Sequence, residues 1–397
     1  MQKQISIVGT GMNGTGMTQE GRQAVEQAQF LLGARRVVEP FATGGKPVFL
    51  SYDSQALAAQ IAQSPYRNMA VLLSGDCGFY SGARGLIPLL QGCKVQVFCG
   101  ISSPAYLCSK LLIPWQDLHF VSLHGTGGSI LRPVCTHERT FFLLGGGSTP
   151  ATVCARLAEF GLGDLSVAVG ENLGCPDETI TRAPAKEVAA HTFSPLSVLL
   201  VENPHYQPHI PSCIPDSRFI RGKVPMTKAE VRCVSVASLS VGAGDICWDV
   251  GAGTGSVSVE LAMRCPRGRV YALERDPLAL ALLDANRRRF CCDNILPVPG
   301  RAQETLSALP PPDCLFLGGS GGALAPILQG AFAKNPRLRL ALTAVSLETL
   351  QQAQSVLGAL GVEPEITQLA VTRTKKAGSH TMLTAENPIF LLRGQRP

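Results

Sequence analysis

The stretch ICWDVGAGTGSVSVELA, residues 246–262, joins an apolar strand to an apolar helix through a glycine-rich turn. Gly251, Gly253 and Gly255 have no Cβ atom, so a ligand can approach the backbone closely at this turn. The turn therefore predicts a site for a small, nucleotide-like ligand. A second glycine-rich turn, SIVGTGMNGTG at residues 6–16, raises the question of why one chain carries two.

The residues around the first turn indicate which ligand it holds. Asp249 lies two residues before the first glycine, and this D-x-G-x-G-x-G spacing is typical of methyltransferases rather than of the dinucleotide fingerprint. Glu274 ends the next strand, RVYALE, where a carboxylate can accept both ribose hydroxyls. The pattern predicts an S-adenosylmethionine site. A dehydrogenase site, and a plain tight turn with Asp249 as a surface cap, remain as alternatives.

A third glycine-rich segment, CLFLGGSGGALAPILQ at residues 314–329, follows a predicted fourth strand. Enzymes that methylate amino groups of bases or proteins often carry an N/D-P-P-Y motif at this place. Here four glycines surround Ser320 instead, which leaves room for a bulky flat substrate but provides no side chain to orient an amine. The alternative is a flexible loop.

The order of predicted elements indicates two α/β domains. Strand-like and helical runs alternate up to residue 202, which predicts a largely parallel sheet. Four prolines interrupt this order between residues 203 and 219, and a new α/β pattern follows from residue 220 to 397. We predict a first domain at 1–202, a linker at 203–219 and a second domain at 220–397. The second is predicted to open with a helix capped by Thr227 and Glu230 and to close with an antiparallel pair of strands.

Composition limits the function classes. The net charge of +6 is low for a dedicated nucleic-acid binder but suits an anionic small substrate. The 14 cysteines form no C-x-x-C pair, which favours reduced thiols over zinc or disulfides. The sequence contains neither a signal-peptide pattern nor an apolar run of membrane-spanning length. We expect a cytoplasmic protein that has no membrane-spanning segment and binds no metal.

The second half resembles a known family. GKVPMTKAEVR, WDVGAGTGSVSVELA, LFLGGSGG and AENPIFLL, in this order, are similar to the CbiT family of cobalamin biosynthesis, which are class I methyltransferases acting on a corrin precursor. The resemblance runs from about residue 217 to the end. It implies that the cofactor is bound by a set of residues around the three loops: Thr227, Asp249, Gly251, Gly253, Gly255, Glu274, Arg275, Ala302, Gly318 and Gly319.

The first half resembles the tetrapyrrole methylases over residues 3–202. LLSGDCGFYSGARGL is similar to their S-G-D-P-x-F-Y-S loop and CGISSPAYL to their G-I-S-S segment, while GENLGCPDE and LLVEN are typical of the CbiE branch. The resemblance implies a two-lobed fold that holds S-adenosylmethionine between its lobes, with the turn from Gly9 to Gly14 facing the tetrapyrrole. The implied cofactor residues are Gly75, Asp76, Phe79, Ser102 and Ser103.

Alternatives remain for these N-terminal motifs. Gly9, Gly11 and Gly14 also fit a dinucleotide fingerprint. The loop at Gly75–Phe79 could be a glycine and serine turn with a buried aromatic pair. Ser102 and Ser103 could simply cap the helix that begins near Pro104.

Two residues depart from the tetrapyrrole methylase pattern. Cys77 stands where the family usually has proline, which predicts a less rigid loop, and Thr126 stands where an arginine that contacts a substrate carboxylate is expected. His124 is either a base or a core histidine. The catalytic residues are unknown, with His124 and Ser320 as weak candidates.

Together the halves resemble the fused CbiE–CbiT enzymes, the CobL type. The resemblance implies a two-lobed tetrapyrrole methylase fold followed by a class I, Rossmann-like methyltransferase domain, with one S-adenosylmethionine per domain. It also implies methylation of two meso carbons of an anionic tetrapyrrole, decarboxylation of an acetate side chain, and a homo-oligomer that binds no nucleic acid. Basic residues are expected to contact the substrate: Arg84, Arg132, Arg221, Lys223, Arg373, Lys375 and Lys376. An RNA methyltransferase and a metabolite-binding scaffold are the alternatives.

Overall fold

The computed structural model describes residues 2–123, 128–209 and 211–396. They form two compact units: the first takes its described residues from 1–124, 139–155 and 164–202, and the second from 125–138, 156–163 and 203–397. The predicted domain boundaries remain a proposal. The predictions made for His124 and Thr126 lie outside the described residues. Within the described ranges, each helix is too short or too polar to cross a membrane.

The first unit begins with a five-stranded parallel sheet in the order β3-β2-β4-β1-β5. Ile5, Ile7 and Val8 on its inner strand are fully buried, as expected for a parallel strand covered on both faces. The strands are β1 Gln4–Gly9, β2 Phe30–Gly33, β3 Val48–Leu50, β4 Asn68–Leu73 and β5 Lys94–Phe98.

A second sheet of the same unit has the order β6-β7-β10-β8-β9. Its strands are β6 His119–Ser122, β7 Arg139–Leu143, β8 Ser166–Glu171, β9 Thr179–Pro184 and β10 Ser197–Glu202. Only β6 and β7 are parallel, so the predicted largely parallel sheet is wrong for this lobe. The reason is topological: β10 enters antiparallel between β7 and β8, and buried apolar runs do not reveal strand direction.

Short helices connect these strands. They are α1 Gln19–Gln27, α2 Arg35–Val38, α3 Ser54–Gln63, α4 Ala83–Leu86, α5 Ser103–Leu111, α6 Leu131–Thr136, α7 Pro150–Glu159 and α8 Ala185–Val188. The carboxyl-terminal ends of β1 and β4 and the start of α5 meet at one edge of the first sheet, because parallel strands end on the same side.

The second unit contains a seven-stranded sheet in the order β13-β12-β11-β14-β15-β19-β16. The strands are β11 Ile246–Val250, β12 Arg269–Glu274, β13 Ile295–Pro299, β14 Cys314–Leu317, β15 Arg339–Ala344, β16 Glu365–Leu369, β17 Thr372–Ala377, β18 His380–Ala385 and β19 Ile389–Gly394. The first five strands in that order are parallel, and β19 is antiparallel to both of its neighbours. The prediction of a closing antiparallel pair is confirmed, with β17 and β18 as an additional hairpin.

Helices cover both faces of this sheet: α9 Ala229–Ser238, α10 Ser256–Arg264, α11 Pro277–Arg289, α12 Ala302–Thr305, α13 Leu324–Lys334 and α14 Leu347–Ala359. The predicted cap at Thr227 is wrong, because α9 begins one residue later, with Lys228 in the cap position and no capping side-chain bond. Glu230 pairs instead with Arg373. The Glu230 carboxylate is therefore bound by a guanidinium outside the helix instead of forming a capping box.

Candidate active sites

A cavity of about 340 Å³ lies at the carboxyl-terminal ends of β11, β12 and β13 and the loop after β14. Strand order reverses at β11, whose neighbours are β12 and β14, and such switch points bind ligands in α/β sheets. The lining residues are Val224, Pro225, Val250, Gly251, Gly253, Leu273, Glu274, Arg275, Asp276, Ala279, Gly300, Arg301, Ala302, Gln303, Gly319, Ser320 and Gly321.

The glycines of the first turn serve the protein's own packing as well as the cavity. Gly251 has a φ of +75°, and a Cβ atom there would lie 2.7 Å from the carbonyl oxygen of Gly319. Gly255 has a φ of +76°, and its Cβ would lie 2.3 Å from Leu283. Gly255 therefore allows α11 to pack closely, and the expectation that this glycine also admits a ligand remains a proposal.

Glu274 is fixed at the cavity wall by backbone amides. One carboxylate oxygen accepts from the N–H of Gly253 at 2.8 Å, and the other accepts from Arg275 and Asp276 at 2.7 and 3.0 Å. Each carboxylate oxygen can accept two hydrogen bonds, so the first still has capacity for a ligand hydroxyl. One acceptor position therefore remains, which suits one ribose hydroxyl rather than both, and the predicted contact remains a proposal.

Asp249 lies below the turn rather than at the surface, so its interpretation as a surface cap is wrong. It is 1% exposed and accepts a hydrogen bond from the Ser258 hydroxyl through one oxygen. Its other oxygen has no partner among the described residues. Burial raises the pKa of this carboxyl to about 7, although the Ser258 hydrogen bond opposes the rise.

The predicted C-terminal residues divide into two groups. Those that line the cavity are Gly251, Gly253, Glu274, Arg275, Ala302, Gly319 and Ser320. Those outside its lining are Thr227, Asp249, Gly255 and Gly318: the Thr227 carbonyl accepts from Arg232, and the Gly318 N–H donates to Val250.

Sequence reasoning missed several lining residues, including Val224, Pro225 and Arg301. The first two lie inside the GKVP segment that carried the resemblance, so that motif could have identified them. Arg301 follows β13 directly, at the edge where the functional loops of a parallel sheet gather.

The first unit contains a larger cavity, of about 510 Å³, between its two sheets. The five predicted cofactor residues all line it: Gly75, Asp76, Phe79, Ser102 and Ser103. Gly11 and Gly14 of the first glycine-rich turn lie on its wall, as do Leu143 and Ser197 of the second sheet. Both lobes thus contribute to one site, although the cofactor-binding role of these residues remains a proposal.

Close backbone contacts build this site. Gly11 and Gly75 exchange two N–H···O bonds of 3.0 Å, and a Cβ atom on Gly9 would lie 2.7 Å from the Gly75 carbonyl oxygen. The Asp76 carboxylate accepts from the N–H groups of Gly78 and Gly100 at 2.7 and 3.0 Å. The side chain of Asp76 therefore ties the loop after β4 to the segment before α5.

The dinucleotide interpretation of this turn is not supported. In that motif the last glycine opens a helix, whose N-terminus faces the pyrophosphate. Here α1 begins only at Gln19, and Thr18 caps it by accepting from the N–H of Gly21. The turn at Gly9–Gly14 therefore presents no helix N-terminus to the cavity.

The structure also describes the surroundings of Cys77 and Ser102. Cys77 is 6% exposed and its thiol donates to the Phe98 carbonyl at 3.4 Å, while the predicted lower rigidity of its loop remains a prediction. Burial raises the pKa of this thiol to about 12. Ser102 occupies the cap position of α5, but its side chain makes no capping bond and faces the cavity wall instead.

Comparison with known proteins matches each half to a family. The family described as "Tetrapyrrole (Corrin/Porphyrin) Methylases" matches residues 4–189. The family described as "Precorrin methyltransferase domain" matches residues 219–396. The cobalt-precorrin-6B C(15)-methyltransferase (decarboxylating) of Salmonella typhimurium is 39% identical over 184 residues, which cover 46% of this chain and 95% of that protein.

A relative that spans both halves is the precorrin-6Y C(5,15)-methyltransferase [decarboxylating] of a Sinorhizobium species. It is 27% identical over 327 residues, covering 80% of this chain and 78% of that protein. Among solved structures, precorrin-6y C5,15-methyltransferase from Geobacter metallireducens is 35% identical and covers 46% of this chain and 96% of its own, with a TM-score of 0.44.

The strand order and the glycine-lined cavity at its switch point define the second unit as a class I methyltransferase. The two lobes around one cavity are the tetrapyrrole methylase fold. The chain belongs to the precorrin methyltransferases, with a tetrapyrrole methylase half and a precorrin methyltransferase half. Methyltransferases of this type use S-adenosylmethionine as methyl donor.

Proposed function

We propose that the chain methylates a precorrin at C-5 and C-15 and removes the carboxylate of the C-12 acetate side chain. The substrate would be precorrin-6Y, precorrin-6B or the cobalt form, and the product a precorrin-8 of cobalamin biosynthesis. The observation that carries this proposal is that each unit has a glycine-lined cavity of its own, in a chain whose two halves match two methyltransferase families.

The residues of both cavities fit the cofactor. In the second unit, Glu274 offers acceptor capacity for one ribose hydroxyl, and a Cβ atom on Gly319 would project into open space where the ligand would lie. In the first unit, Gly11 and Gly75 leave the wall free of side chains beside the hydroxyls of Ser102 and Ser103. These groups suit an adenosine and amino-acid ligand better than a diphosphate.

The chain's task in this chemistry is mainly positioning. S-adenosylmethionine supplies an electrophilic methyl group when bound, and the meso carbons of the macrocycle are enamine-like nucleophiles. The side chains need to hold the two in line and exclude water, which accelerates the reaction without a strong base. For decarboxylation, the C–C bond to the carboxylate breaks, carbon dioxide leaves and the protonated conjugated ring accepts the electron pair. A proton then adds to the former methylene carbon to give a methyl group, and the protein holds the carboxylate in an apolar pocket before it leaves.

Product mass tests the proposal. The full chain is incubated with methyl-labelled S-adenosylmethionine and the reduced precorrin, and the product is weighed by mass spectrometry. We expect two labelled methyl groups and the loss of one carbon dioxide. A product without label, or label without loss of carbon dioxide, would contradict it. Separate expression of residues 1–202 and 220–397 tests the proposed boundaries, with decarboxylation expected in the second piece.

We further propose a cytoplasmic homo-oligomer that binds no nucleic acid. The exposed apolar side chains of Met382 and Leu383 on β18, 57% and 75% exposed, support self-association. Light scattering at several protein concentrations tests it, and a monomer throughout would contradict it. Micromolar, salt-sensitive binding of RNA would instead favour an RNA methyltransferase.

A further inference from the structure

Arg36 lies where two cavities of the first unit adjoin. It belongs to α2 and lines both the cavity of about 510 Å³ and a smaller one of about 140 Å³. The two cavities also share Val37 and Ser74 as lining residues. A guanidinium at this position can serve a ligand that occupies the large cavity and extends one substituent into the small one.

The charge balance of the large cavity leaves Arg36 available. Of the described residues that line it, the charged ones are Arg36 and Asp76. Both oxygens of Asp76 already accept backbone N–H groups, so this carboxylate is held in the loop. Arg36 has no carboxylate partner among the described residues, whereas its neighbour Arg35 pairs with Glu39 at 2.7 Å. The Arg36 guanidinium is therefore available to pair with an anionic group of a ligand.

The small cavity has the chemistry of a carboxylate pocket. Its lining includes three serines, Ser51, Ser54 and Ser74, besides Tyr52, and the leucines Leu57, Leu72 and Leu86. The Ser54 hydroxyl donates to the Gly82 carbonyl at 3.5 Å. Arg36 is the one charged residue among the described residues that line it. An arginine fork with nearby hydroxyls recognises carboxylates, and leucines accommodate the methylene groups that carry them.

We propose that Arg36 and this serine-lined pocket, the Arg36 pocket, bind one carboxylate side chain of the tetrapyrrole while the macrocycle shares the large cavity with S-adenosylmethionine. The proposal rests on the proposed function and assigns a substrate contact to the first methyl transfer. It also gives the first unit a cationic contact for the substrate. The sequence analysis expected such contacts but did not name Arg36 among the candidate residues.

Two substitutions and a matched control test the Arg36 pocket. Arg36→Ala removes the fork, Arg36→Lys keeps the charge alone, and Arg35→Ala removes an adjacent exposed arginine that lies outside both cavities. Since a hydrogen bond to a charged group contributes ~1.5–3 kcal/mol, Arg36→Ala should raise the KM for the precorrin roughly 10- to 100-fold. Arg36→Lys should give an intermediate value and Arg35→Ala the wild-type value. The kcat should change little, because the lost contact holds the substrate equally in the bound and transition states.

Binding of S-adenosylmethionine separates the outcomes. Calorimetry should give unchanged affinity for S-adenosylmethionine in Arg36→Ala, and thermal unfolding should show that the variant is folded. Weaker cofactor binding would mean that Arg36 holds the cofactor's carboxylate, which would overturn the proposal. So would a KM like that of Arg35→Ala. Failure of the wild-type chain to methylate precorrin would overturn the proposed function itself. The pocket could then still be tested by comparing the affinities of the chain for a corrinoid with free carboxylates and for its full ester.

Discussion

The N–H of Gly253 donates to the Glu274 carboxylate across 2.8 Å, which links the glycine-rich turn to the end of the neighbouring strand. This bond fixes the carboxylate at the cavity wall before any ligand arrives. A carboxylate that is already held in place contributes more to affinity, because the side chain loses little conformational freedom when the ligand binds.

Glu274→Gln should therefore weaken cofactor binding in the second unit. The amide keeps the shape but removes the charge, and hydrogen bonds to charged groups contribute ~1.5–3 kcal/mol, so affinity should fall about tenfold or more. Calorimetry should then show one tight S-adenosylmethionine site per chain in place of two. The exposed Glu363→Gln serves as control. Two unchanged sites in Glu274→Gln would contradict the role of this residue.

Cys77 should resist alkylation in the folded chain. Its thiol is buried, and its pKa is raised to about 12, chiefly by burial and also by Asp76, so the reactive thiolate is scarce at neutral pH. Cys99 is exposed and provides an internal comparison. After brief treatment with iodoacetamide, peptide mapping should find label on Cys99 and little on Cys77. Equal labelling would contradict the packing described for the loop.

Asp249 should make stability depend on pH. Its carboxyl keeps a proton to about pH 7 in the folded chain, whereas an unfolded aspartate loses it near pH 4. The folded state therefore binds more protons between these values, so this contribution to stability is full below about pH 4 and is lost as pH rises through about 7.

Asp249→Asn should remove this dependence. Relative to wild type, the free energy of unfolding should gain on the order of 4 kcal/mol between pH 4 and 7, with the exposed Asp117→Asn as control. Urea unfolding at several pH values measures the difference. Parallel curves for wild type and Asp249→Asn would mean that the carboxyl titrates normally.

Glu260 should matter for stability rather than for chemistry. It is fully buried on α10, and its carboxylate accepts from the Nε of buried Arg232 at 2.7 Å. It does not line the cavity of the second unit, which removes it as a proton donor there. Breaking a buried pair leaves an uncompensated charge, so Glu260→Gln should destabilise the chain by about 3 kcal/mol.

The exposed pair of Arg393 and Glu365 provides the comparison for that loss. Glu365→Gln should cost less than about 1 kcal/mol, because solvent screens exposed ion pairs. Both variants are measured by urea unfolding. Equal effects would contradict the description of the Arg232–Glu260 pair as a buried anchor.

Local patterns predicted much of the fold. The strand–turn–helix at Ile246–Arg264 and the closing antiparallel strands follow from apolar periodicity and glycine punctuation, which are properties of adjacent residues. The direction of β10 did not follow, since a buried apolar run reads alike in parallel and antiparallel strands. The cap at Thr227 failed because Glu230 found a long-range partner, Arg373.

The residues of the candidate sites divide in the same way, into those that local motifs predicted and those that only the topology brings together. Motifs with fixed spacing, such as that at Gly75–Phe79, identified residues that line the cavity of their unit. Residues brought in by topology, such as Arg36 and Arg301, carried no recognisable spacing. The buried position of Asp249 was also hidden, because an acidic residue after an apolar strand is consistent with either a surface or a buried carboxylate.

The claim that each unit performs its own methyl transfer is tested most directly by substitutions that impair one cavity at a time. Asp76→Asn replaces one of the two oxygens that accept from Gly78 and Gly100 in the first unit with an amide nitrogen that cannot accept. Glu274→Gln alters the cavity of the second unit. With limiting cofactor, we expect Asp76→Asn to give product methylated only at C-15 and decarboxylated. Glu274→Gln should give product methylated only at C-5 with its acetate carboxylate retained. Carbon-13 NMR of the labelled products distinguishes these positions. If either variant abolished both methylations, or if the two variants gave the same product, the assignment of separate reactions to separate cavities would be wrong.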